Sequence, residues 1–301
     1  MLRHTFCHIP GIGLKREERL HSYGIHTWED LLSLNRWPDP DDSFLSRLDI
    51  PRVQDFLQLS IHEMEGYNVN FFHRLLPLSE HWRLFPHFRD TSCYLDIETT
   101  GLGREDSITT ISLYDGESVR CYIRNKNMEL FERDIMRHDV LITYNGRIFD
   151  IPFIQKNLGI TLQQAQIDLR YPLADLGFRG GLKGCERSLG IDRGDLTGVD
   201  GYMAVLLWKD YMRTGDERVL ETLLAYNIED TVNLETLMIH AYNLKIGQTQ
   251  VDIRRLPLPN PVSSPFRGDP KIIDRILNKN VKAVQNGTLH HRNLYNPQKK
   301  S

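Results

Sequence analysis

The sequence predicts an α/β protein, a mixed five-stranded sheet flanked by helices with a small helical region in front of it. Three observations carry this. Ser92–Ile97, Ile108–Tyr114 and Ser118–Ile123 are successive β-rich runs, and Asp115-Gly116 between the last two is a hairpin signal. Helix and strand patterns then alternate: Met128–His138, Val140–Tyr144, Ile148–Leu158, Ala165–Leu169. Finally, Leu182–Leu189, Gly201–Arg213 and Glu217–Leu244 carry apolar residues at helical spacing. Consecutive strands followed by alternating elements give a sheet covered by helices.

Four regions follow along the chain: 1–35, 36–89, 90–246 and 247–301. The first reads as helix, tight Gly turn, helix, turn, helix, with Leu14–Ser22 and Trp28–Leu34 as the later helices. Leu14, Leu20, Ile25, Trp28, Leu31 and Leu32 are its expected small core, and Thr27 with Asp30 is a capping signal. Gly11 and Gly13 supply open backbone at a helix N-terminus, a geometry that can receive a phosphate, and Lys15 and Arg16 add charge there. The segment IPGIGLKREERLHSYGIHTWEDLL resembles the helix-hairpin-helix motif. That resemblance implies contact with the DNA backbone regardless of sequence; a helical cap without a ligand is the competing reading.

The second region begins with a turn-rich connector, Asn35–Pro51, whose acids Asp39, Asp41 and Asp42 read as solvated. Val53, Phe56, Leu57, Ile61 and Met64 give Arg52–Glu65 a helical spacing. Phe71, Phe72, Trp82, Phe85 and Phe88 read as a brace against the main domain. In the last region, prolines at 257, 259, 261 and 265 mark extended chain. Lys271–Val284 is an amphipathic basic helix with Ile272, Ile273, Ile276 and Leu277 apolar, and the final fifteen or so residues read as disordered. Lys271, Arg275, Lys279, Lys282, Arg292, Lys299 and Lys300 make this end positive.

Composition bounds the function. The chain has 301 residues, 40% hydrophobic and 26% charged, with a formal net charge of -3, so no global basic field announces a nucleic-acid partner. Cys7, Cys93, Cys121 and Cys185 show no zinc spacing and read as reduced thiols in a cytoplasmic protein. The N-terminus lacks the apolar core of a signal peptide, and no apolar run approaches a membrane span.

The chemistry starts at Thr91–Gly103, TSCYLDIETTGLG. Asp96 and Glu98 are two apart on a strand, so they project from one side. Such a pair at the end of a core strand is costly unless a cation neutralises it, and oxygen-only ligands favour magnesium or manganese. Asp150 lies in the first turn of the helix after the fourth strand. Tyr226 and Asp230, four apart, share one face of the long late helix. Four convergent carboxylates cannot all stay ionised without cations, and two divalent ions would satisfy them.

The ordered set DIET, Y-N-G-x-x-F-D and Y-x-x-x-D resembles the tyrosine subclass of the DEDD superfamily of 3′–5′ exonucleases. It is similar to the proofreading domains of family-B DNA polymerases and to stand-alone prokaryotic exonucleases. The match spans Asp90–Leu244 and implies a ribonuclease-H-like fold. It implies a two-metal hydrolysis, with Mg2+ or Mn2+, at single-stranded DNA or RNA 3′ ends. Asp96 would bridge both ions. Glu98 and Asp230 would complete the site of the one that activates water, and Asp150 would support the other. Tyr226 would orient the attacking water, because a phenol is a poor base at neutral pH. Asn145 would contact the terminal nucleotides, and Phe149 would pack beside a base or in the core. Asp168 is expected to be structural, and Lys183 to reach a phosphate or to be solvated. DNA is expected to be preferred because of the N-terminal module; an RNA exonuclease and a non-catalytic nucleic-acid-binding protein are the alternatives.

Overall fold

The computed structural model describes residues 1–285 other than 104, 197, 198 and 263. It contains the expected five-stranded sheet in the order β3-β2-β1-β4-β5: β1 Ser92–Thr99, β2 Ile108–Tyr114, β3 Val119–Ile123, β4 Val140–Thr143 and β5 Ala165–Asp168. β1–β2 and β2–β3 are antiparallel, while β1–β4 and β4–β5 are parallel. The antiparallel half needs only tight turns, and the parallel half needs crossovers.

Alternation along β1 sorts its side chains between two layers. Cys93, Leu95 and Ile97 pack in a core with Phe131, Ile135, Ile151 and Ile154. Those residues lie on α6 (Phe131–Ile135) and α7 (Asp150–Leu158), whose ranges fall after the N-terminal helices α1 Leu14–Ser22, α2 Trp28–Leu32, α3 Ile50–Glu65, α4 Val69–Leu75 and α5 Phe85–Phe88. Downstream come α8 Arg170–Asp175, α9 Gly181–Ser188, α10 Gly201–Thr214, α11 Glu217–Ile246 and α12 Pro270–Gln285. On the opposite face of β1 stand Tyr94, Asp96 and Glu98. Asp96 and Glu98 face α11, as the contacts below show. This thirty-residue helix is buried along most of its length, with Asn227, Asp230, Asn233 and Glu235 buried among its apolar residues. Its first half packs with α10 and with Ile272, Ile273 and Ile276 of α12. Its second half, Leu237 to Tyr242, packs against the N-terminal regions.

The aromatic brace forms as expected. Trp82, Phe85, Phe88 and Phe72 are fully buried, and Trp82 meets Tyr242 edge-on with centroids 5.8 Å apart. A buried ion network joins the same layers. The Arg83 guanidinium lies 2.7 Å from both Glu17 and Glu80, and Lys245 of α11 lies 3.7 Å from Glu80.

Several expectations are corrected. No α-helix precedes the glycine turn, where a single 3-10 turn spans Leu2–His4. The N–H groups of Phe6 and Cys7 donate instead to the Glu17 carboxylate, at 2.6 and 2.9 Å. Leu14 is exposed rather than in the core, since Ile9 and Ile12 fill the space at that end of α1. Asp42 is buried, not solvated: it accepts from Arg19, from the Tyr23 hydroxyl at 3.0 Å and from the Phe44 N–H at 2.7 Å. The helix expected over Met128–His138 contracts to a 3-10 turn, Met128–Leu130, followed by α6. Leu277 of α12 is exposed although its three isoleucines are buried. The capping box at Thr27 and Asp30 forms in full. The expected disordered tail, with Arg292, Lys299 and Lys300, lies outside the described residues, as does the Lys282 side chain.

His8 gives this region a pH dependence. Burial, followed by the charge of Arg83, pushes its imidazole down to about 3, while Nε2 stays 3.0 Å from the Ser60 hydroxyl. A histidine whose folded value is depressed contributes its full stability above its unfolded value near 6.5 and loses it as pH falls. Chemical denaturation at pH 7 and pH 5 should therefore differ by about 2 kcal/mol from this group alone. Against His8→Gln, which can keep the bond to Ser60, the parent should gain that amount between pH 5 and pH 7; identical pH profiles of the two would remove His8 as the cause.

Candidate active site

Tertiary placement of β1 and α11 brings together residues far apart in sequence. Carboxylate oxygens of Asp96, Glu98 and Asp230 lie within 4.8 Å of one another. Glu98 and Asp230 are buried and Asp96 is half-buried. Asp150 stands at the first turn of α7, buried. Tyr226 is buried one turn before Asp230 on α11. Of the five expected residues, Asp96, Glu98 and Asp230 converge at the end of β1, while Asp150 and Tyr226 stand near enough to feel or exert charge on them without joining that group.

Their proton affinities reflect that crowding. Burial raises Asp96 well above the usual carboxylate range, and the charges of Asp230 and Asp150 add to it. Burial likewise raises Glu98, with Asp96 and Asp230 the next contributors. Burial, with Asp168 nearby, lifts Asp150 to about 7 despite backbone donors. Burial alone would also raise Asp230, but Lys183 and Arg193 outweigh it and hold that group below its ordinary value. The Tyr226 phenol is pushed far up by burial and then by Asp230, Glu98 and Asp96.

Backbone geometry explains why the local sequence looks as it does. Glu98 and Thr99 flank a register shift in the β1–β2 ladder. The loop beyond is closed by Asp106, which accepts from the Thr100 hydroxyl at 2.8 Å and the Gly103 N–H at 2.6 Å. A Cβ on Gly101 would sit 2.6 Å from that carboxylate. In the second motif, Asn145 has φ of 66°, and a Cβ on Gly146 would lie 2.3 Å from the Thr143 hydroxyl. Only glycine fits there, and the tight turn delivers Asp150 to the site.

Asp168 anchors that turn, accepting the N–H groups of Asn145 at 2.7 Å, Arg170 at 3.0 Å and Arg147 at 3.3 Å. Asn145 itself is half-buried, its side-chain oxygen 2.6 Å from the Arg170 guanidinium. Phe149 is half-buried against Phe153, with centroids 5.0 Å apart. The Lys183 ammonium donates to Asp230 and lies 4.6 Å over the Tyr226 ring. Gly11 and Gly13 are away from the carboxylates, at the start of α1. Gly11 has φ of 88°, Gly13 is the N-cap, and Arg16 is engaged with the carbonyls of Gly11 and Phe44.

Two partners of the carboxylates, buried Asn227 and half-buried Arg193, were not expected in that role. Asn227 donates to Asp96 at 2.7 Å and accepts from the Thr110 hydroxyl at 3.1 Å. It sits between Tyr226 and Asp230 on a face already known to turn inward, which was the available signal. Arg193 bonds Asp230 and both oxygens of Glu186, the latter at 2.8 and 2.7 Å. It comes from a loop with no distinguishing pattern. Leu102 and Ile148, on the turns bracketing the carboxylates, are 61% and 60% exposed.

An all-oxygen, partly deprotonation-resistant donor set with three converging carboxylates fits a hard divalent cation. The sheet order, its flanking helices and this acidic end of β1 define the class. The family model of the RNase_H superfamily matches residues 93–242, just under half of the chain. No curated protein matches the chain. Among solved structures, the chain is similar to the family B DNA polymerase from the hyperthermophilic archaeon Pyrobaculum calidifontis. That likeness has 15% identity and a TM-score of 0.38, and it covers 50% of this chain and 25% of that one. The chain thus spans about a quarter of that polymerase's length. Among the described residues, no helix is long and apolar enough to cross a membrane.

Proposed function

We propose that this protein is a metal-dependent 3′–5′ exonuclease acting on single-stranded nucleic acid. The observation that carries the reading is the convergence of Asp96, Glu98 and Asp230 beside Asp150 and the buried Tyr226. Asp96, Glu98, Asp150 and Asp230 would hold Mg2+ or Mn2+, two ions per site, which supply Lewis acidity to a phosphodiester and lower the pKa of water. Tyr226 is kept neutral by its surroundings, so its hydroxyl orients the attacking water by a hydrogen bond rather than taking its proton. Lys183 and Arg193 hold Asp230 ionised. Asn145 and the exposed side chains of Leu102 and Ile148 border the site and would meet the terminal sugar and bases. Phe149, packed on Phe153, would act as their support. The N-terminal glycine turn, with Gly11 and Gly13 at the start of α1, would add DNA backbone contacts and favour DNA.

The direct test is degradation of 3′-labelled and 5′-labelled single-stranded DNA and RNA with magnesium or manganese, beside Asp230→Asn. Metal-dependent, stepwise loss from the 3′ end that vanishes in the variant is expected, with DNA cut faster. Cleavage of substrates whose 3′ end is blocked would instead make the enzyme an endonuclease. Faster loss of RNA would reassign the substrate, and binding without cleavage would leave a nucleic-acid-binding protein.

A further inference from the structure

A strip of unmatched arginines leads from the carboxylates to the N-terminal helical region, and we propose that it holds the phosphates of a single-stranded nucleic acid upstream of its bound end. This rests on the nuclease reading of the carboxylate site and names the path that the rest of the strand takes.

The strip is traced by contacts, by neighbouring positions in the chain and by short-range charge influence. Lys183 touches Asp230. Two residues further along α9, the Cys185 sulfur lies 3.8 Å from the Tyr144 hydroxyl. Tyr144 precedes Asn145, whose side chain bonds Arg170. Arg147 shares the Asp168 anchor with both of them. Its charge in turn depresses the proton affinity of His73 and His81, although burial is the larger cause for each. His73 lies on α4, next to Arg74. The path therefore runs from the end of β1, over the β4–α7 turn, to the helices ahead of the sheet.

The charge along it is not matched. Arg74, Arg147 and Arg170 are exposed, and none forms a salt bridge among the described residues. The acid beneath the strip, Asp168, is buried and directs its oxygens at three backbone N–H groups. In a chain of net charge -3, this is a local concentration rather than a reflection of overall basicity. Asp168 fixes the backbone from which the exposed Arg147 and Arg170 project, so those side chains are presented from a rigid base, with Arg170 further steadied by its bond to Asn145. That arrangement suits a phosphate backbone, whose charges repeat along a line and whose bases need no reading.

The test is fluorescence anisotropy in the Asp96→Ala background with magnesium, so that the probe survives. Oligothymidylates of about 4 and about 20 nucleotides are compared, with oligouridylate of the longer length beside them. The triple variant Arg74→Ala/Arg147→Ala/Arg170→Ala should weaken the longer probe at least tenfold and shrink the advantage of long over short. The slope of log affinity against log salt should fall by about 2, since each single-strand phosphate contact contributes about 0.7. The corresponding triple lysine variant should restore most of both. Equal weakening of the two lengths, or an unchanged salt slope in a folded triple variant, would overturn the strip. Loss of binding that lysine does not restore would also overturn it, as a charge-independent effect. If the parent chain cleaves 3′ ends but shows no length dependence, the strip falls and the nuclease reading stands. If the parent chain neither binds nor cleaves, both fall. Equal response of the two sugars is expected of a phosphate track.

Discussion

Asp96→Asn is expected to abolish metal-dependent hydrolysis while making the metal-free protein more stable. The loss of rate should reach at least about 10³-fold, because Asp96 is the central oxygen donor of the proposed ion site and no neighbouring group can replace its charge. The gain in stability follows from the same crowding. Asp96 is held against burial and the charges of Asp230 and Asp150, so neutralising it removes repulsion inside the fold. A stabilisation of about 1–3 kcal/mol at pH 8 is expected. The incoming amide can still accept from Asn227, which lies 2.7 Å from the present carboxylate.

The sign of the pH dependence separates this from ordinary surface effects. A carboxyl whose folded value is raised costs stability as pH climbs from its unfolded value through its folded one. For Asp150 that window runs from 3.8 to about 7. The contribution of Asp150 should therefore fall across this range, opposing the gain from His8, and the advantage of Asp96→Asn should vanish near its acid end. Manganese should raise the parent's melting temperature more at pH 8 than at pH 6, and should raise the variant's less. Thermal melts across pH, with and without the ion, report all of this independently of turnover. A variant less stable than the parent at pH 8 would mean that the carboxylates do not strain the fold.

Arg83→Met should cost about 3–5 kcal/mol, because it leaves two buried carboxylates without their counter-charge. Arg83, Glu17 and Glu80 are each about 5% exposed or less. Glu17 cannot turn away to water, since it also accepts from Phe6 and Cys7. Glu80 keeps Lys245 at 3.7 Å, so the damage should concentrate on the side of Glu17. Hydrogen exchange should show α1 and α2 losing protection before β1, β2 and β4 do. A uniform loss across the chain would mean that the N-terminal helices and the sheet unfold as one unit. Adding Glu17→Gln should recover part of the stability, as expected when the penalty is an uncompensated charge.

Much of this fold could be read from the chain. The β-rich runs of β1 and β2, the Asp115-Gly116 turn and the apolar pattern of α11 are local signals, and each appears where expected. The two-residue spacing of Asp96 and Glu98 and the four-residue spacing of Tyr226 and Asp230 set their faces before any tertiary contact is known. What was hidden depends on partners. Asp42 sits in a run of acids and prolines, and nothing local says that Arg19 and Tyr23 will cover it. Arg193 belongs to a loop whose only distinction is where it lands. Lys183 was expected to reach a phosphate or solvent, whereas it meets Asp230, a partner 47 residues away. No local signal marks α8, Arg170–Asp175; its Pro172 falls in the first turn, where the missing N–H would have had no helical partner.

The double duty of α11 restricts how this chain can tolerate insertions and deletions. One end of the helix aims Tyr226, Asn227 and Asp230 at the end of β1, and the other end wedges Leu237 to Tyr242 into the aromatic layer. Adding or removing a single residue between Asp230 and Leu237 would rotate one end against the other by about 100°. Either the acidic centre or the hydrophobic wedge could then keep its orientation, but not both. Length changes in this stretch are tolerable only in steps near a whole number of turns, whereas the loop between β1 and β2 has no such phase to keep.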